Sequence, residues 1–169
     1  MEPSPRRVER RPYYRAANRH LAEGAVPIPG LRALRDDDFE ALAEVHLPAL
    51  RGTVDDEGDT LEGLVEDYRG GAAGDWGVPL RDRWLVAEDE QGILAAVLTT
   101  NWRGTPFIAL VVTRLDAQRR GLASALIAEV AARCLARGEP ELSLIVTRGN
   151  PALGLYERLG FVEVDRPEE

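Results

Sequence analysis

One stretch limits the folds open to this chain more than any other: Gln118, Arg119, Arg120, Gly121, Leu122 and Ala123. It lies between an apolar run at 107–112 and a strongly periodic helical pattern that starts at Gly121. A strand, a glycine-containing turn and a helix N-terminus in succession form a physical device for holding phosphate. The first amides of a helix have no intrahelical partner and point out of its end, where the helix dipole adds partial positive charge. Gly121 carries no Cβ, so the backbone there can approach a ligand closely. Arg119 and Arg120 can add charge-assisted hydrogen bonds to phosphate oxygens. No Gly-Lys-Ser/Thr follows, so the stretch is not a P-loop, and it lacks the three spaced glycines of a dinucleotide fingerprint.

A second stretch runs from Asn150 through Pro151, Gly154, Leu155, Tyr156, Glu157, Arg158, Leu159 and Gly160 to Phe161. Asn150 suits an N-cap, Pro151 a first helical position and Gly160 the residue that ends a helix. Leu155 and Leu159 share one face. Tyr156 is one residue off that pair, so it can point toward a neighbouring element. Together the two segments resemble the coenzyme-A-binding and catalytic motifs of the GNAT N-acetyltransferase superfamily. The first is similar to its Arg/Gln-x-x-Gly-x-Gly/Ala signature, the second to its Asn…Tyr-Glu-Lys/Arg-Leu-Gly-Phe signature. The resemblance is firm over 84–164 and looser back to 31. It implies an α/β (α+β) fold: a mixed central β-sheet flanked by helices, with two inner strands splayed apart.

Length and composition fit one compact domain with a real core, at 169 residues, 44% apolar and 30% charged. No apolar run approaches the roughly 20 residues of a membrane span, and the Arg-rich start lacks the apolar stretch of a secretory signal. A lone cysteine, Cys134, cannot form an internal disulfide, which fits a reducing cytoplasm. Its place in an apolar helical stripe makes it a small buried hydrophobe. The net charge of −8 disfavours a nucleic-acid surface and mildly favours a cationic amine substrate. An arm that includes Arg6, Arg7, Arg10 and Arg11 is what a tRNA-directed transferase would need, but the overall charge opposes that reading.

Along the chain, 1–30 reads as an Arg-rich extension and 31–169 as the transferase domain. In the extension, Pro12 can begin a short helix ending before Gly24. Tyr13, Ala16, Ala17, His20 and Leu21 follow helical spacing in it, and a disordered basic tail is an equal alternative. A Pro-Gly linker follows, then a strand at 31–34. Asp36, Asp37 and Asp38 introduce a helix bearing His46, read as a packing residue rather than a base, which Pro48 kinks or ends. After an acidic loop at 55–59, Thr60 caps a second helix reaching Tyr68, and 70–77 reads as a flexible Gly-rich connection. Strands at 84–87, 93–100 and 107–113 precede the helix at 121–137. A strand at 142–147, the Tyr156 helix and a strand at 161–164 complete the pattern. The family usually ends with the second strand of a hairpin, and little chain remains after Val164. That strand is either absent or replaced by another segment, the N-terminal extension of this chain or of a partner being one candidate. An uncovered edge is a pairing hazard, which favours a homodimer.

The resemblance implies acetyl transfer from acetyl-CoA, a co-substrate, to an amine. Val111, Val112 and Thr113 match positions that contact the pantetheine arm, and the amide of Val111 or Val112 could polarise the thioester carbonyl. Gln118, Arg119, Arg120, Gly121, Leu122, Ala123 and Ser124 would hold the pyrophosphate, with Arg119 standing where glycine is common. Asn150 matches a residue that contacts the CoA arm, and Tyr156 the general acid to its sulfur. No metal ligand is assigned. Many relatives carry a basic carboxylate on the strand before the turn, and 107–112 has none. Glu88 is a candidate, though it reads more simply as a solvated turn residue. A non-catalytic acyl-CoA-binding module remains the alternative to an enzyme.

Overall fold

The computed structural model describes residues 11–168. An eight-stranded sheet organises them. Its strands are β1 (Tyr13–Ala17), β2 (Leu31–Ala33), β3 (Val78–Pro79), β4 (Leu85–Asp89), β5 (Gly92–Trp102), β6 (Thr105–Thr113), β7 (Glu141–Ile145) and β8 (Val162–Val164). Its helices are α1 (Asn18–Ala22), α2 (Phe39–Leu50), α3 (Leu61–Ala73), α4 (Leu122–Ala136) and α5 (Leu153–Leu159). The strand order is β2-β4-β5-β6-β7-β1-β8, with β3 attached to β5. Every neighbouring pair is antiparallel except β6 with β7.

Helices cover both faces, so the central strands are apolar throughout rather than alternating. One layer packs Leu21, Leu126, Ile127, Val130, Tyr156 and Phe161 onto the sheet. The other packs Phe39, Leu42, Leu64, Tyr68 and Trp84. Helix α4 buries Leu126, Val130 and Cys134 along its inner stripe, as 3.6-residue spacing requires. Cys134 is fully buried beside the Arg83 guanidinium, and burial pushes its thiol pKa up.

Three expected elements are corrected. First, the helix from Pro12 is a strand over Tyr13–Ala17, and helix begins only at Asn18. Tyr13 and Tyr14 are both buried because both faces of β1 are covered, and that double coverage imitates helical spacing. Two ladders hold the segment: Tyr13 lies opposite Ile145 on β7 and Val164 on β8. Here β1 fills the place beside β8 that the return strand of a terminal hairpin would take. The pairing hazard at that edge is thus met within the chain. The sheet draws on chain from both sides of residue 30. Arg6, Arg7 and Arg10 lie outside the described residues. Second, the stretch read as flexible from residue 70 is helical to Ala73. A Cβ on Gly71 would come within 2.3 Å of the Trp76 ring, so the glycine is there for close packing. Third, of the two roles open to Pro48, ending the helix is excluded, because α2 runs on to Leu50. The Thr60 cap stands: its hydroxyl accepts from the Gly63 amide at 3.0 Å.

Candidate functional site

Strands β6 and β7 pair only at Phe107 with Ser143 and Ile108 with Leu144. The register between β5 and β6 then passes from Thr99 opposite Ile108 to Leu98 opposite Leu110, making Ala109 an extra residue. A bulge of this kind bends its strand. Beyond it β6 keeps its ladder to β5, up to Thr113 opposite Ala95, while β7 keeps its ladder to β1. The two inner strands therefore part, and among the described residues no strand lies against the β7-facing edge of β6 from Ala109 onward. Val111 and Val112 turn to opposite layers, Val111 toward the α4 side and Val112 toward the α2 side.

At the end of that gap the chain makes a short 3-10 turn at Leu115–Ala117 and enters α4 through Gln118, Arg119, Arg120 and Gly121, all exposed. Gly121 has φ 78° and Arg119 φ 65°. A left-handed arginine costs about 1 kcal/mol, and such local strain gathers at functional sites. No side chain caps α4 and no acidic residue sits in its first turn. The first helical bond runs from the Ala125 amide to the Gly121 carbonyl at 3.0 Å, so the amides of Leu122, Ala123 and Ser124 have no intrahelical partner. A Cβ on Gly121 would meet no atom of the described residues within 4 Å. The space in front of this helix end is open, and the described residues leave its positive end uncompensated. Gln118 reaches back to the Thr113 carbonyl and Arg120 to the Asp116 carbonyl, bracing the turn from its two flanks.

Beyond β7, the Asn150 side-chain oxygen accepts from the Ala152 amide at 2.8 Å, but α5 begins only at Leu153 with Ala152 in the N-cap position, so Asn150 and Pro151 shape the turn before the helix rather than cap and open it. Gly160, at φ 101°, ends that helix. Tyr156 is 8% exposed and packs edge-on against Phe161, with ring centroids 5.9 Å apart. Burial pushes its phenol pKa up to about 12, with a smaller contribution from the Asp55 charge. The structure thus puts the turn at 118–121 at the end of the strand gap and Asn150 and Tyr156 on the loop and helix that follow the other strand of the gap.

Glu88 belongs elsewhere. Its carboxylate accepts from Arg32 Nε at 2.8 Å, while the rest of that guanidinium grips Asp38 in a bidentate pair at 2.7 and 2.8 Å. The Arg32 hydrogen bond holds the Glu88 pKa below its ordinary value. Engaged in this way at the strand end, Glu88 is a brace between β2 and β4. His46 hydrogen-bonds Tyr68 at 2.7 Å across α2 and α3, and burial holds its pKa down to about 4. A cleft of about 420 Å³ between Glu44, Val45, Ile93 and Arg114 includes neither the turn at 118–121 nor the Tyr156 helix.

The residue that sequence reasoning missed is Asp55. It leaves the loop between α2 and α3 and accepts from Thr147 at 2.5 Å and from Asn150 at 2.8 Å, beside Tyr156. The acidic loop was legible; its partners, more than 90 positions away, were not.

Known proteins are similar to this chain in sequence and in fold. The FR47-like protein family model matches residues 85–168, from β4 through β8. An acetyltransferase of Pectobacterium atrosepticum is 32% identical over 140 residues, covering 80% of this chain and 89% of the relative. The PaiA N-acetyltransferase of Thermoplasma acidophilum, solved in complex with coenzyme A, superposes with a TM-score of 0.64 at 17% identity, over 84% of this chain and 94% of that one. A GCN5-related N-acetyltransferase of Sphaerobacter thermophilus superposes with a TM-score of 0.63 at 21% identity, over 94% of this chain and 52% of that one. The chain belongs to the GNAT N-acetyltransferase superfamily.

Proposed function

We propose that this protein transfers an acetyl group from acetyl-CoA to the primary amine of a small molecule or a peptide N-terminus, by direct attack of the amine on the thioester. The observation that carries this reading is the parting of β6 from β7, with an uncapped helix N-terminus at the end of the gap and Tyr156 on the helix that follows its other strand. The bound co-substrate supplies an acyl carbon activated by a thiolate leaving group. The free edge at Val111, Val112 and Thr113 offers main-chain hydrogen bonds to the pantetheine amides, as an added strand would. Leu122, Ala123 and Ser124 offer amides to the pyrophosphate, with Gln118, Arg119, Arg120 and Gly121 shaping the approach. The Val111 or Val112 amide polarises the thioester carbonyl. As the new C–N bond forms and the C–S bond breaks, Tyr156 gives its proton to the departing sulfur. The amine proton leaves through water, since β6 carries no carboxylate and Glu88 is bound to Arg32.

The lack of a carboxylate on β6 is also the observation behind a second reading, a non-catalytic acyl-CoA-binding module. Calorimetry with acetyl-CoA, followed by a panel of amines, amino acids and aminoglycosides with free thiol as the readout, separates the two. The enzyme reading expects binding and thiol release with at least one amine. Binding without turnover on any amine selects the module, and no binding removes both. The single buried thiol suits a reducing compartment, and we place the protein in the cytoplasm.

A further inference from the structure

Asp55 sits in the loop joining α2 to α3, yet its contacts lie on the far side of the site. Oδ1 accepts from the Thr147 hydroxyl at 2.5 Å and faces Arg11 at 3.7 Å, while Oδ2 accepts from Asn150 Nδ2 at 2.8 Å. Arg11 Nε in turn donates to the Thr147 hydroxyl at 3.3 Å. Next to Asp55, Val54 lies against Gly149, where a Cβ would meet it at 3.3 Å; Gly149 has φ 89°. The loop between α2 and α3 is therefore seated on the turn after β7 by packing as well as by charge.

This network fixes which way the Asn150 amide points. A backbone amide can only donate, so the atom facing Ala152 N is the Asn150 oxygen. A carboxylate can only accept, so the atom facing Asp55 is the Asn150 nitrogen. Two independent constraints agree, and among the described residues they leave one N–H of Asn150 uncommitted. The negative charge of Asp55 also helps keep the Tyr156 phenol protonated.

Resting on the reading above, we propose that Asp55 is a positioning residue of the transferase site. It fastens the loop between α2 and α3 to the turn that carries Asn150, and it aims the remaining Asn150 N–H at a carbonyl of the pantetheine arm. Asp55 acts through Asn150 rather than on the reacting atoms.

The test is a double-mutant cycle read by acetyl-CoA calorimetry, thermal melting and steady-state kinetics. D55A is expected to weaken acetyl-CoA binding about tenfold, D55N only two- to threefold, because an asparagine can still accept from Asn150 and donate to Thr147. In an N150A background, D55A is expected to add less than twofold. The exchanged pair D55N/N150D restores the hydrogen bond and the turn but removes the free N–H, so melting should recover while affinity stays low. Equal effects of D55A with and without Asn150 overturn the proposal, as does full affinity in the exchanged pair. If D55A does not fold, D55N and the exchanged pair carry the same decision. Absence of acetyl-CoA binding by the unmodified protein removes the parent reading, and this inference with it. Unmodified binding with an unaffected D55A removes the inference alone.

Discussion

A phenol enclosed as Tyr156 is holds its proton through the neutral range, with its pKa near 12, so it meets the departing sulfur in its protonated, hydrogen-bond-donating form. Tyr156→Phe is therefore expected to lower kcat about 10²-fold, the usual worth of a single proton donor, while acetyl-CoA affinity changes less than twofold. Because the folded pKa is raised, the kcat profile should show no basic limb from this group below about pH 10, which stopped-flow thiol release can follow. Glu88→Gln should leave kcat and its pH dependence unchanged, since that carboxylate is paired with Arg32. A kcat loss beyond tenfold would make it the base after all. His46 acts on stability. Its folded pKa of about 4 lies below the ordinary 6.5, so the unfolded chain binds more protons between those values. Stability contributed by the neutral ring is whole above pH 6.5 and is lost as pH falls toward 4, on the order of 3 kcal/mol. His46→Gln, which can still pair with Tyr68, should flatten this part of the acid limb in urea titrations at pH 7 and pH 4.5.

At the scale of elements, what could be read from the sequence was what local chemistry decides. The glycine turn at Gly121 and the Gly160 end of α5 are written in residues a few positions apart, so the start of α4 and the end of the Tyr156 helix fall where spacing puts them, whereas the start of α5 lies at Leu153 rather than at Pro151. Asp55 could not be read, because an acidic loop has the same composition whether its carboxylates face water or a partner 95 positions away. The bulge at Ala109 is likewise silent: an apolar run gives no sign of which residue its neighbour skips. Gly121 carries the element's own prediction. At φ 78°, Gly121→Ala should cost about 1 kcal/mol of stability, with no clash inside the protein. If diphosphate occupies the open space there, the methyl group meets the ligand instead. The variant should then lose at least tenfold in acetyl-CoA affinity while melting within about 4 °C of the parent. A proportionate fall in both would make the glycine structural only.

The whole molecule depends on a strand that sequence order hides. β1 lies between β7 and β8, and its residues pair with partners some 130 positions later: Tyr13 with Ile145, Arg15 with Ser143. Helical spacing won on paper because propensity and period are local, whereas the two ladders and the cover on both faces are supplied only by the finished sheet. That placement has an energetic consequence. Burying Tyr13, Tyr14 and Ala16 contributes several kcal/mol at about 25 cal/mol per Å² of apolar surface, comparable with a domain's entire margin of about 5–15 kcal/mol. Without β1, β8 has no partner strand and β7 offers a bare edge beside a gap that is already open. A protein beginning at residue 31 is therefore expected to be insoluble, or to lose its cooperative melting transition, even though every residue assigned to acetyl-CoA remains. Supplying 11–30 as a separate peptide should recover part of the fold, since it restores a strand for both neighbours to pair with. Recovery would appear as regained solubility and peptide-dependent melting. A soluble 31–169 fragment that melts cooperatively and binds acetyl-CoA as the full chain does would instead make the first thirty residues a dispensable extension.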